Sequence, residues 1–253
     1  MLGFVQGIVE WLPVSSQGVL SAIYILIEGR SFEEAVHYAL WLHLGTAITS
    51  MVVFRREVQA LVSEAFTFRN PLSPLFIFIL FASITSFVVA LPILLIVDDF
   101  SSKLGVSAMI SVGVFMLITG CIQLTKKEIG TRDRSSLSIK DAIIVGLFQG
   151  IAILPGLSRS GLTVAAFLGR KFDKREALAI SFIMSIPASL AAVLFTVFDS
   201  SLVVSTETLV SLTVAFVTGV FAIKFFLDFA RKVNFGIFVI FVGLVMILSS
   251  LLV

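Results

Sequence analysis

The sequence predicts an all-α polytopic membrane protein with two inverted repeats, each a re-entrant helix hairpin followed by three transmembrane helices. Hydrophobic residues make up 58% of the chain and charged residues 13%, about half the charged fraction of a soluble domain. Apolar runs long enough to cross a bilayer recur along the chain. Two further apolar segments are interrupted, and they occupy corresponding positions in the two halves.

The two interrupted segments share one sequence pattern. The first contains GFVQGIVEWLPVSSQG and the second contains GLFQGIAILPGLSRSGLT. Gln6 and Gln149 lie 143 positions apart, and so do Gly18 and Gly161. The segments are therefore copies of an internal repeat. Non-helical backbone at membrane depth is tolerated only beside protein or a water-filled cavity, so the breaks predict a polar cavity.

The helices follow from this pattern in chain order. The interrupted segments cover about 2–28 and 141–169. Three spans are predicted after each of them, at about 35–54, 75–97, 104–124, 176–198, 207–230 and 236–253. We expect one integral membrane domain over 1–253, with repeat one at about 1–124, repeat two at about 141–253 and a linker at 125–140. No cleavable signal peptide is expected, because the first apolar stretch carries Glu10.

Basic residues predict the orientation. If each interrupted segment enters and leaves on one side, loops 55–74, 125–140, 170–175 and 231–235 share a face. That face carries fourteen basic residues and the opposite face two, Arg30 and Lys103. The fourteen are Arg55, Arg56, Arg69, Lys126, Lys127, Arg132, Arg134, Lys140, Arg170, Lys171, Lys174, Arg175, Arg231 and Lys232. The positive-inside rule makes this face, with the linker, cytoplasmic. The halves are then inverted, and their interrupted segments can meet near mid-membrane.

Glu10 and Arg159 are the charged residues of the two shared motifs. Each costs at least about 2.5 to 3.5 kcal/mol at the bilayer centre, so such groups normally face a partner. A buried ion pair that only fastens the repeats is one explanation. The serine, glycine and glutamine residues around the two charges favour a binding site instead.

The second segment has the composition of an anion site. Gly156 lets a turn approach a ligand closely, and the helix that follows opens with free backbone N–H groups. Arg159 adds a planar donor fork suited to phosphate. Hydroxyl groups come from Ser158, Ser160 and Thr163. These residues predict that the second segment binds phosphate.

The first segment contributes a carboxylate and further polar groups. They are Gln6, Glu10, Ser15 and Ser16. A carboxylate beside phosphates suits Mg²⁺, with Ca²⁺ the alternative. A serine can accept a phosphoryl group if a base lies close. Together the two segments predict phosphoryl transfer on a lipid inside a membrane cavity.

These motifs resemble those of the undecaprenyl-pyrophosphate phosphatase family, membrane phosphatases also linked to bacitracin resistance. The run from Gln6 to Glu10 matches the family's (Glu/Gln)-x-x-x-Glu motif, and the run from Pro155 to Thr163 matches Pro-Gly-x-Ser-Arg-Ser-x-x-Thr. The likeness covers essentially the whole chain, including the Leu-Gly-Thr after His43. It implies a plasma-membrane, multi-pass enzyme that removes the terminal phosphate of a C55 polyprenyl diphosphate with a divalent cation. This reaction recycles the carrier lipid of cell-wall synthesis.

The resemblance also implies a role for each site residue. Glu10, Ser16 and Arg159 are the expected catalytic residues, with Ser16 the candidate nucleophile. Glu10 and Gln6 would hold metal or water. The diphosphate would be bound by Ser15, Gly156, Ser158, Ser160 and Thr163.

One position departs from the family pattern. A histidine usually follows the Ser-Ser-x-Gly of the first motif and is a proposed catalytic base, but this chain has Val19 there. We therefore predict that Glu10, or water held by Glu10 and Gln6, removes the proton. His43 is the reserve candidate. A lone histidine on an apolar helix more often bonds a backbone carbonyl or a neighbouring side chain.

A second function class stays open. A transporter or scramblase for a polyprenyl phosphate would use the same inverted repeats and broken helices. A purely structural protein would leave Glu10 and Arg159 without a purpose. The expected partners are a polyprenyl diphosphate lipid and the membrane, with no nucleic acid. The sequence leaves a homodimer open.

Overall fold

A computed structural model describes residues 1–12, 14–29, 32–67, 71–101, 105–125, 130–154, 156–198, 205–229 and 235–250. Within these ranges the protein is helical and contains no strand. The helices are α1 (Leu2–Val9), α2 (Ser16–Glu28), α3 (Phe32–Val53), α4 (Arg55–Thr67), α5 (Pro74–Ser101), α6 (Gly105–Thr125), α7 (Ile139–Ile151), α8 (Arg159–Gly169), α9 (Lys174–Phe198), α10 (Thr206–Phe229) and α11 (Phe235–Ser250), with a 3₁₀ turn at Arg134–Ser136.

Some residues used in the sequence predictions lie outside the described ranges. Both prolines of the Leu-Pro pairs, Pro13 and Pro155, are among them. So are seven of the basic residues that predict the orientation: Arg30, Arg69, Lys103, Lys126, Lys127, Arg231 and Lys232.

Four helices of the described part are long and apolar enough to cross a membrane by length and composition. They are stretches of α3, α5, α9 and α10, at Glu34–Val53, Pro74–Ile93, Lys174–Leu194 and Thr206–Leu227. They coincide with four of the six predicted spans. Helices α6 and α11, of 21 and 16 residues, occupy the other two predicted positions. The chain is therefore an all-helical membrane protein.

Each interrupted segment forms two short helices. Helices α1 and α2 have 8 and 13 residues, and α7 and α8 have 13 and 11. At about 1.5 Å per residue, none of them alone spans a hydrocarbon core of about 30 Å. The second helix of each pair starts with the same serine cap. Ser15 Oγ accepts from the Gly18 N–H at 3.2 Å, and Ser158 Oγ accepts from the Gly161 N–H at 3.0 Å.

The first helix of each interrupted segment packs on a helix from the other half of the chain. Helix α1 packs on α10, from the other half, and α7 packs on α5. Glycines permit both contacts. A Cβ on Gly7 would lie 2.6 Å from the Ala215 carbonyl oxygen, and a Cβ on Gly150 would lie 2.8 Å from that of Ser86. Gly7 and Gly150 are again 143 positions apart, so equivalent glycines support equivalent contacts.

Helix α4 was not predicted. Positions 55–74 contain no apolar run and are predicted to be a loop, but Arg55–Thr67 is helical. The segment is rich in good helix formers such as arginine, glutamate and alanine, and Glu57 in the first turn complements the helix dipole. Such a polar helix has no hydropathy signal that would predict it.

A charged cluster joins the start of α7 to the end of α8. The Asp141 side chain is fully buried and accepts from Arg132 Nη2 at 2.8 Å and from Arg170 Nε at 2.6 Å. Burial alone would raise the pKa of the Asp141 carboxyl, but hydrogen bonds from Arg132, Ser138 and Arg170 hold it below its ordinary value. The stabilisation from this carboxylate is therefore present at neutral pH and is lost only on strong acidification.

Candidate active site

The breaks in the two interrupted segments meet at one cavity. Its volume is about 500 Å³, and its lining includes Glu10, Ser15 and Ser16 from the first segment with Arg159 and Ser160 from the second. A direct hydrogen bond also joins the two breaks, because the hydroxyl of Ser160 donates to the carbonyl oxygen of Leu12 at 2.9 Å. The predicted meeting of the two segments is thus observed among the described residues.

Glu10 lies at the centre of the polar contacts. Its side chain is 6% exposed. Oε1 accepts a hydrogen bond from Arg159 Nη2. Oε2 accepts from Ser16 Oγ at 2.7 Å and from Gln6 Nε2 at 3.1 Å. The buried carboxylate is therefore paired with a positive charge, and the serine predicted as nucleophile points its hydroxyl at the predicted base.

Arg159 is held on two sides. It is the first residue of α8. While Nη2 faces Glu10, Nη1 donates to Ser189 Oγ at 2.9 Å and to the Ser185 carbonyl oxygen at 3.3 Å, both on α9. Among the described residues, no hydrogen bond uses Nε or the second Nη2 hydrogen. These donors are available to a phosphate group in the cavity.

His43 reaches the site from α3. Its Nδ1 lies 2.6 Å from the Ala39 carbonyl oxygen, and its Nε2 lies 3.3 Å from Glu10 Oε2. A carbonyl only accepts hydrogen bonds, so Nδ1 carries a proton and Nε2 is the nitrogen that faces Glu10. His43 therefore makes the expected hydrogen bond to a backbone carbonyl through one ring nitrogen, while the other nitrogen lies close to Glu10. Val19 lies in a separate apolar cluster with Val14 and Met116.

The predicted substrate-binding residues divide into two groups. Ser15 and Ser160 line the cavity. Gly156, Ser158 and Thr163 are not part of its lining. Instead they shape the second break.

Each of these three has a local task. Gly156 has a φ of 99°, which favours glycine. Ser158 caps α8. The Thr163 hydroxyl is fully buried, donates to the Arg159 carbonyl oxygen at 2.8 Å and pairs with Ser181 Oγ at 2.6 Å.

The serines of α9 lie outside the sequence motifs. Ser181, Ser185 and Ser189 are spaced by four residues, so they lie on one face of the helix. That face packs on the second break: Ser181 contacts Thr163, and Ser185 and Ser189 contact Arg159. The repeat of serine at i, i+4 and i+8 in an apolar span was the signal available in the sequence.

The other side of the cavity is mostly apolar, with Ser83 and Ser86 as polar groups on α5. On α5 it is lined by Ile84, Phe87, Val88 and Leu91, whose exposed fractions range from 44% to 63%. On α9 the lining continues with Ala188, Ala191 and Ala192. In a membrane, the exposed residues of α5 face lipid. The cavity therefore runs from a charged centre to an apolar, lipid-facing surface.

The first segment also offers oxygen ligands for a cation. Gln6 Oε1 is buried and has no hydrogen-bond partner in the described part of the chain, although the same amide donates to Glu10. Within the described ranges, no cluster of three or more His, Cys, Asp or Glu residues is placed to hold a metal. Mg²⁺ often takes only one or two protein oxygens, with phosphate and water completing its shell. The Glu10 carboxylate, which lines the cavity, fits that kind of ion, whereas Gln6 is fully buried and is not part of the lining.

Comparison with known proteins identifies similar chains. Residues 1–248 match the family model described as bacitracin resistance protein BacA. A protein from Methanococcoides burtonii named undecaprenyl-diphosphatase is 37% identical over 261 residues, covering 100% of this chain and 97% of its own. Proteins of the same name from Methanopyrus kandleri and Alkaliphilus metalliredigens are 33% and 34% identical. They cover 93% and 100% of this chain, and 89% and 98% of their own lengths.

Proposed function

The chain belongs to the bacitracin resistance protein BacA family, and we propose that it hydrolyses undecaprenyl diphosphate to undecaprenyl phosphate and inorganic phosphate. Relatives named undecaprenyl-diphosphatase align with it over nearly their full length. The reaction recycles the carrier lipid for cell-wall or glycan synthesis. The observation that carries the proposal is the cavity in which Glu10, Ser16 and Arg159 meet beside an apolar surface.

That cavity matches an amphiphilic substrate. The diphosphate binds at the charged end, where Arg159 offers donors and Ser15 and Ser160 offer hydroxyls. The isoprenoid chain lies against the apolar side, along Phe87 and Leu91 of α5. A hydrophilic phosphate ester would gain nothing from that surface, because burial of apolar area stabilises only an apolar ligand.

The contacts of Ser16 support attack on the terminal phosphorus. Glu10 Oε2 accepts the Ser16 hydroxyl hydrogen bond and takes its proton as Oγ attacks. The bond from the terminal phosphorus to the bridging oxygen breaks, and that oxygen leaves with the lipid phosphate. Water then hydrolyses the phosphoserine. In the alternative route, water held by Glu10 attacks the same phosphorus directly, and the products are identical.

Ser16→Ala separates these two routes. Near-complete loss of turnover is expected if the serine is phosphorylated, and a partial loss is expected if water attacks directly. Arg159 has the same task in both routes: its guanidinium stabilises the charge that develops on the transferring phosphoryl group.

A divalent cation is part of the proposal. Glu10 and Gln6 Oε1 would hold it, and it would offset the charge of the diphosphate. We expect excess chelator to abolish phosphate release and added Mg²⁺ to restore it. Ca²⁺ at the same concentration tests the alternative ion. Full turnover in excess chelator would show that the reaction does not need a metal ion.

The contact between His43 and Glu10 predicts a measurable contribution from the imidazole. Its Nε2 is directed at the oxygen that receives the Ser16 proton. We expect His43→Ala to lower kcat by about tenfold to a hundredfold. His37→Ala is the matched control, since His37 lies on the same helix outside the cavity lining. Unchanged kcat in His43→Ala would leave His43 a packing residue.

A transporter or scramblase for polyprenyl phosphate is the competing function. The two differ in what happens to the diphosphate. Purified protein in detergent should release one phosphate per lipid diphosphate in the presence of Mg²⁺, whereas a transporter needs a sealed bilayer and leaves the diphosphate intact. Movement of lipid between leaflets without phosphate release would favour the transporter.

We further propose that α1–α2 and α7–α8 are re-entrant hairpins of two inverted repeats in the plasma membrane. Repeat one is about 1–124, repeat two is about 141–253, and 125–140 is a cytoplasmic linker. Support comes from the short helices, from the serine caps 143 positions apart, and from the packing of α1 and α7 on helices of the other half. The basic loops support the orientation.

Single-cysteine labelling tests this topology. Cys121 is exposed and is first replaced by serine. Ser135 and Thr206 are exposed and lie in predicted cytoplasmic and external positions. In intact cells, an impermeant thiol reagent should modify Thr206→Cys and spare Ser135→Cys. The reverse pattern would contradict the orientation.

A further inference from the structure

We propose that Ser189 is a positioning residue for the reaction, because its hydroxyl holds Arg159 in the orientation that binds the diphosphate. The inference deepens the proposed function and rests on it. Ser189 belongs to α9, outside both interrupted segments, and none of the sequence motifs includes it. It lines the cavity and is 2% exposed.

The geometry places Arg159 between two supports. Its Nη2 donates to the Glu10 carboxylate and its Nη1 donates to Ser189 Oγ at 2.9 Å. The guanidinium is planar, so contacts at both Nη atoms determine the direction of the whole donor fork. Its remaining N–H groups are then directed by these two contacts.

Substrate binding changes the contact of Arg159 with Glu10 and leaves its contact with Ser189. A diphosphate carries the same kind of charge as Glu10 and competes with it for the guanidinium. The Ser189 hydroxyl is neutral, so it does not compete with the phosphate for the charge of the guanidinium. When the phosphate draws Nη2 away from Glu10, the contact between Nη1 and Ser189 keeps the fork on α9. Without that contact the long Arg159 side chain, which has several rotamers, must be ordered during binding. The entropy cost of this ordering weakens substrate binding.

Ser185 provides a matched control one helical turn away. It contacts Arg159 through its backbone carbonyl, which every residue has. Its own hydroxyl donates to the Phe182 carbonyl oxygen at 2.7 Å, within α9. Ser185 is 5% exposed, close to the 2% of Ser189. Ser185→Ala therefore removes a buried hydroxyl from the same helix without removing a contact of Arg159.

The test measures kinetics of phosphate release from C55 diphosphate, with inorganic phosphate as a competing probe. We expect Ser189→Ala to lower kcat/KM about tenfold, as for loss of a hydrogen bond to a charged group. The phosphate concentration that halves the rate should rise by a similar factor. Ser185→Ala, which keeps the backbone carbonyl that contacts Arg159, should lose much less than Ser189→Ala in both measurements. Ser189→Thr keeps an acceptor oxygen and should restore most of the activity.

A double substitution separates positioning from packing. In an Arg159→Lys background the fork is absent, so Ser189→Ala should cause little further loss. If Ser189→Ala does not fold, Ser189→Cys keeps the volume with a weakly accepting sulfur, and the same tenfold loss is expected. The proposal is overturned by wild-type kinetics in Ser189→Ala or Ser189→Cys, by an equal loss in Ser185→Ala, or by full additivity with Arg159→Lys. A wild-type protein that releases no phosphate would instead refute the proposed function.

Discussion

Glu10→Gln should reduce phosphate release by at least about a thousandfold. The amide cannot take a proton from Ser16, whose hydroxyl donates to Glu10 Oε2 at 2.7 Å. It also removes the negative charge opposite Arg159 and weakens the site proposed for the cation. The measurement is kcat at saturating C55 diphosphate across a range of Mg²⁺ concentrations. Apparent affinity for Mg²⁺ should fall together with kcat.

Loss of folding must be separated from loss of chemistry. Arg159 would keep its charge beside a neutral amide, so some loss of stability is expected, and the melting temperature in detergent measures it. Glu28→Gln is the matched control, because Glu28 is exposed at the end of α2. Substantial turnover in a folded Glu10→Gln variant would show that another group removes the proton, with His43 the first candidate.

Arg159→Lys should lower kcat/KM by about a hundredfold to a thousandfold while the charge is kept. A single ammonium cannot reproduce a planar fork that contacts Glu10, Ser189 and the Ser185 carbonyl at once. The reaction needs that fork most when charge develops on the transferring phosphoryl group. Arg159→Ala should lose at least as much activity.

The control for this substitution is Arg56→Lys. Arg56 is exposed on α4, away from the cavity lining, and its replacement should leave kcat/KM unchanged. Melting temperatures of both variants should lie close to that of wild type. Near-native kcat/KM in Arg159→Lys would mean that only the positive charge matters, and the role given to the planar donor fork of Arg159 would be wrong.

Much of the fold was predictable because the membrane restricts what a chain can do. Spans must be long and apolar, so hydropathy located α3, α5, α9 and α10 within a few residues. Charged groups inside such a protein need partners, so an ion pair between Glu10 and Arg159 was one of the explanations open from the sequence. No comparable restriction applies to the surface helix α4, and it was missed.

The directions of individual side chains were less predictable. Ser158 and Thr163 belong to the same motif as Arg159, but their hydroxyls satisfy the backbone and Ser181 instead of lining the cavity. Motif membership does not distinguish a helix cap from a ligand. The contact of His43 with Glu10 depends on how α3 packs against the first break, which no local pattern encodes.

Hydrolysis in ¹⁸O-labelled water is the most direct test of the central claim, that this cavity cleaves the terminal phosphate from a lipid diphosphate. Attack on the terminal phosphorus should place one ¹⁸O atom in each released inorganic phosphate and none in undecaprenyl phosphate. The result is the same whether Ser16 or water attacks first, so it does not depend on that open question. Label in the lipid phosphate, or no release of phosphate by purified protein with Mg²⁺, would contradict the account.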